Sequence, residues 1–84
     1  MVSIQPLSKD EIRIMCDDRT IDVQTGDKIV FKQDYFDFET GDTIIVEPII
    51  DEGEVQLLCR KNSRHIRKDG IIEMFCDDIV NVEK

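Results

Sequence analysis

The sequence predicts an all-β domain, and three observations carry that prediction. Thirteen isoleucines and seven valines stand beside no alanine and no tryptophan in 84 residues, a composition suited to pleated strands and poor for helices. Short runs alternate apolar and polar residues with a period of two. The glycines at 26, 41, 53 and 70 stand singly, each at a turn signal that precedes an apolar run. A chain of this length can bury roughly 60% of its unfolded surface and supports a single core. Residues 1–84 are therefore expected to be one β domain, within which residues 1–10 can form a loose N-terminal segment.

The elements follow in order. Ser8-Lys9-Asp10-Glu11 has capping-box spacing, which allows at most one helical turn there. Ile12, Ile14 and Cys16 alternate with Arg13 and Met15, and Ile21 and Val23 alternate with Asp22 and Gln24, predicting two half-buried strands. Thr25-Gly26-Asp27 and Thr40-Gly41-Asp42 each precede a β-branched run, and both read as turn-then-strand. Asp51-Glu52-Gly53-Glu54 reads as a turn before Val55–Cys59, and Asp69-Gly70 as a turn before a strand over Ile71–Cys76. Pro48 limits the strand that starts at Thr43 to Thr43–Glu47, because proline offers no ladder donor. Five to seven short antiparallel strands in this order predict a small SH3-like barrel, with a two-sheet β-sandwich as the alternative. The segments Met15-Cys16-Asp17-Asp18 and Phe75-Cys76-Asp77-Asp78 look alike, as two hairpins built to one recipe would.

Cys16, Cys59 and Cys76 are odd in number and form no C-x-x-C pair. Three buried, reduced thiols in a cytoplasmic protein are the expectation. Met1–Pro6 has neither the basic start nor the apolar stretch of a signal peptide, and no apolar run exceeds three residues, so no membrane span is expected. Catalytic signals are lacking. His65 sits among cations with no adjacent carboxylate to orient it. The acids around Asp37–Gly41 miss the calcium-loop spacing, and no glycine-rich phosphate loop occurs. No enzyme, metal or cofactor is expected.

Two features can carry binding. Residues 60–68 hold five bases and no acid, namely Arg60, Lys61, Arg64, Arg67 and Lys68, with His65 among them. The other 75 residues hold six bases and nineteen acids and so sum to −13, giving the chain its −8. The segment falls at an expected hairpin tip, between the strands Val55–Cys59 and Ile71–Cys76. The Debye length of about 8 Å lets it act locally despite the acidic remainder, but that remainder opposes a polyanion. The second feature is Asp34-Tyr35-Phe36-Asp37-Phe38-Glu39, three of the five aromatics set among acids. Strand alternation would send Phe36 and Phe38 to one face and Tyr35 to the other. Together they read either as core filler or as an acid-rimmed aromatic anchor for a partner protein.

The expectation is therefore a non-enzymatic protein-interaction module. It would be an acidic accessory or inhibitor protein that binds a partner, a basic one in the simplest case, through Tyr35, Phe36, Phe38, Asp34, Asp37 and Glu39. The alternatives are a nucleic-acid-binding module using the 60–68 hairpin, and a self-associating structural subunit of a larger, phage-like assembly.

Overall fold

The computed structural model describes residues 2–52, 54–59, 64–66 and 68–84; the side chains at 59, 64–66, 68, 69 and 71 are not described. It is mostly β, with two antiparallel sheets and one short helix. The first sheet is a meander of β1 (Ser3–Ser8), β2 (Glu11–Met15) and β3 (Thr20–Gln24). Ile12 and Ile14 of β2 are fully buried, while Arg13 on the opposite face pairs across to Asp22 of β3. Among the described residues 2–10 lies the edge strand β1, in which Ile4 alone is half-buried, and no helical turn.

The second sheet runs in the order β7-β6-β5-β4-β8, from β4 (Lys28–Phe31), β5 (Thr43–Asp51), β6 (Glu54–Cys59), β7 (Arg64–Ile66) and β8 (Val80–Glu83). Both sheets contribute to one core. Ile12, Ile14 and Val23 meet Ile29, Phe31, Ile44, Val46, Val55 and Leu57, with Ile72, Met74 and Phe75 of the helix packed in. The Cα radius of gyration is 11.7 Å, close to the roughly 12 Å of a compact chain this long. Among the described residues the two sheets do not close into one barrel.

The two Thr-Gly-Asp triplets make the same turn. Asp27 N donates to Gln24 O and Gln24 N to Asp27 Oδ2; likewise Asp42 N donates to Glu39 O and Glu39 N to Asp42 Oδ2. Gly26 and Gly41 hold φ of +95° and +90°, the third-position conformation that a side chain disfavours. The buried Asp27 carboxylate also takes a hydrogen bond from Lys84 Nζ at 2.8 Å. Gly26 N donates to Val46 O at 3.2 Å, tying this turn to the second sheet.

Three expectations are corrected. First, β5 runs through Pro48 to Asp51. Pairing with β4 ends at Ile45 and the Gly26–Asp27 turn bonds Val46, so at Pro48 the ladder partner among the described residues is β6. Counting by twos from the tight Asp51–Glu54 closure, Pro48↔Leu57 is a pair without ladder hydrogen bonds, so the missing N–H faces away from β6. Second, the residues read as a strand over Ile71–Cys76 lie in a helix, α1 (Lys68–Cys76). Ile72 and Phe75 are buried three apart with Met74 beside them, while Glu73 is exposed. Helical packing outweighs β propensity here because one turn of helix buries three large side chains at once. Asp78, with φ of 61°, ends the helix, and Ile79 N donates to Met74 O at 3.1 Å as in a Schellman cap.

Third, Cys16 and Cys76 are joined in a disulfide, with Cα atoms 5.6 Å apart, against the expectation of three reduced thiols. Sixty residues separate them in sequence. The fold brings together the end of β2 and the end of α1, which no local spacing announces. The look-alike segments are thus partners across the disulfide, one in a hairpin turn and one at a helix end. Arg19 strengthens the join: its guanidinium donates to Phe75 O and pairs with Asp78 at 3.4 Å. Lys32 reaches the same Asp78 carboxylate.

Candidate functional site

The long connection between β4 and β5 spans residues 32–42 and is built by its own polar residues. Asp34 Oδ1 accepts from Thr40 N at 2.9 Å and from Thr40 Oγ1 at 3.1 Å. Phe31 N donates to Asp42 O, and Gly41 N donates back to Phe31 O, which closes the base of the loop. At its tip, Tyr35 and Phe38 exchange both backbone hydrogen bonds at 2.9 Å, leaving Phe36 and Asp37 as a two-residue turn.

That turn separates the three aromatics, so the expected strand alternation does not hold. Phe38 is buried and stacks on Phe31 with ring centroids 4.5 Å apart. Tyr35 is half-buried and lies 6.4 Å from Phe31. Phe36 is 87% exposed and meets the Tyr35 ring edge-on at 4.6 Å. Four of the five aromatics therefore form one column running from the core to solvent. Phe36 also has a φ of 52° at the first central position of the turn, where glycine is favoured. A bulky residue in that conformation is strained by roughly 1–2 kcal/mol. The turn thus holds an aromatic ring in water on a backbone that aromatic residues avoid.

Tyr35 fixes the loop to the helix. Its hydroxyl donates to Gly70 O in the first turn of α1 at 3.1 Å. Burial raises the phenol above its ordinary pKa, and the carboxylates of Glu73 and Asp77 add to the rise. Gly70, Glu73 and Asp77 follow helical spacing, so they share one face of α1 and its end. Glu73 and Asp77 were not legible as site residues in the sequence, because a strand over 71–76 hides the 70/73/77 spacing that would have marked them.

The six residues expected to bind a partner all fall in this loop, with Asp34, Asp37 and Glu39 exposed and Phe38 buried. Asp34 also braces the loop through Thr40. Of the basic segment, Arg64 and His65 lie in β7, where Leu58 pairs with His65 and Cys59 with Arg64, and Lys68 opens α1. Arg60, Lys61 and Arg67 lie outside the described residues. Arg64–Ile66 therefore lies in a strand paired with β6, and residues 68–76 form a helix rather than the second strand of the expected hairpin.

Elsewhere, Arg13 and Asp22 form a two-pronged pair across the first sheet at 2.9 and 3.2 Å, and Arg13 holds the Asp22 carboxyl below its ordinary pKa. Among the described residues no group of three or more His, Cys, Asp or Glu side chains is placed to hold a metal. Among them, too, no helix is long and apolar enough to cross a membrane.

No protein family, curated protein or solved structure matches this chain.

Proposed function

We propose that this chain is a non-enzymatic protein-interaction module, an acidic accessory or inhibitor protein that engages a partner protein through the 32–42 loop with Phe36 as the anchor. The observation that carries this reading is the pairing of 87% exposure with a positive φ at one bulky residue. Folding alone gives little reason for either. Apart from its edge-on meeting with Tyr35 the ring stays in water, and a glycine would relieve the backbone. Strained, exposed residues held by a well-braced frame are a mark of functional turns. The frame here is the Phe38–Phe31 stack, the Asp34–Thr40 bonds and the Tyr35–Gly70 bond. A rigid aromatic that needs little ordering on association is a suitable interface anchor.

At the level of architecture we propose an SH3-like arrangement for residues 28–83. It is supported by the order of parts: strand β4, long loop, strand β5, hairpin, strand β6, then β7 and α1, and a short last strand β8 that returns beside the first.

The test is capture of partners from the native host's lysate by the immobilised chain, with and without nuclease. Wild type is compared with Phe36→Ala and with the Arg64→Ala/Arg67→Ala pair. The proposal expects one protein at a fixed ratio that survives nuclease, is kept by the arginine pair and is lost with Phe36→Ala. Material lost with nuclease and with the arginine pair, but kept by Phe36→Ala, would overturn it in favour of nucleic-acid binding by residues 60–68.

A further inference from the structure

We propose that the partner presents a basic segment whose cationic side chains, arginine foremost, lie against the Phe36 ring, and that α1 supplies part of the contact through Glu73 and Asp77. This rests on the reading of the 32–42 loop as the interaction site and names what that site recognises.

Tyr35 links two acidic elements, the 32–42 loop that carries Phe36 and the helix α1. Phe36 meets Tyr35 edge-on, and Tyr35 is bonded to Gly70 at the head of the helical face that carries Glu73 and Asp77. The loop itself carries Asp34, Asp37 and Glu39, all exposed and within three residues of Phe36 in sequence. No Lys, Arg or His occurs in residues 33–59 or 69–83, so neither element holds a base beyond Lys32 and Lys68 at their starts. Lys32 is paired with Asp78. An aromatic face carries negative partial charge, and nearby carboxylates deepen it. A neutral apolar partner would strip water from those carboxylates without replacing it, whereas a cation compensates both ring and acids. Arginine fits best, because a planar guanidinium can stack on the ring while it bonds a carboxylate.

The test is a low-salt NMR titration of the whole chain with a nine-residue oligoarginine peptide, a neutral Gly-Ser peptide serving as blank. The largest shifts are expected at Tyr35–Phe38, Glu73 and Asp77. Phe36→Ala and the Glu73→Gln/Asp77→Asn pair should each weaken binding about fivefold. Asp51→Asn/Glu54→Gln removes the same charge from the β5–β6 hairpin, at the far end of a strand about 26 Å long. It should change binding less than twofold. Equal weakening by both charge pairs, or shifts centred on the hairpin, would overturn the proposal as net-charge attraction. If Arg64→Ala/Arg67→Ala shifts the Tyr35 and Phe36 signals without any peptide, the chain's own basic segment is the occupant, and the proposal also fails. Should the peptide not bind this loop while lysate capture still depends on Phe36, the basic partner is wrong and the anchor stands. Capture that ignores Phe36 removes the anchor itself.

Discussion

Breaking the Cys16–Cys76 bond should remove a large share of this domain's stability. The bond closes a loop with a sequence separation of 60. Loop-closure entropy for that length, 2.1 + 1.5R ln n in cal/mol/K, comes to about 4 kcal/mol at 25 °C. A domain of this size is stable by about 4–13 kcal/mol in all. The Cα separation of 5.6 Å lies within the usual range for a disulfide, so no distortion of the backbone offsets the gain. The assay is urea unfolding of the oxidised protein, the reduced protein and the Cys16→Ser/Cys76→Ser variant. With a slope of roughly 1 kcal/mol/M for so small a chain, the midpoint should fall by roughly 4 M, or the reduced chain should already be unfolded in buffer. A thiol titration in denaturant without reductant checks the bond itself: of three cysteines two are paired, so one thiol should react, at Cys59. Three reactive thiols in protein purified without reductant, or equal midpoints for the oxidised and reduced forms, would refute the reasoning.

Three further outcomes follow from the geometry. Gly26→Ala and Gly41→Ala meet no atom within 4 Å, so each should destabilise through φ alone, by about 1–2 kcal/mol in urea unfolding; no loss would deny the positive-φ turns. Phe36→Gly should leave stability unchanged or raise it by up to about 1 kcal/mol, while Phe38→Ala should lose about 3–5 kcal/mol; similar losses for the two would show that Phe36 is not the exposed member. Lys32, and after it Arg19, hold the Asp78 carboxyl below its ordinary pKa. Its contribution is present above the usual carboxylate range and lost as pH falls through the depressed folded value. The stability gap between wild type and Asp78→Asn at low salt should therefore be greatest near pH 6 and close by about pH 2; a gap that widens on acidification would contradict the ion pairs.

The local parts were legible in the order of the amino acids. Period-two patterning placed β2 and β3, and glycine followed by aspartate placed two identical turns, because both signals act between residues a few positions apart. That order also singled out the 34–39 segment, since aromatics among acids are visible without a fold. What lay beyond it depended on distant contacts. The pairing of Cys16 with Cys76, the helical state of residues 68–76 and the passage of β5 through Pro48 each depend on what the rest of the chain lays alongside. The fate of the three aromatics was also decided there. Composition made Phe36 and Phe38 equivalent, and only the Tyr35–Phe38 bridge sent one ring into the core and the other into water. Glu73 and Asp77 came to act on the Tyr35 phenol for the same reason: burial of Ile72, Met74 and Phe75 selected a helix, which puts residues 70, 73 and 77 on one side.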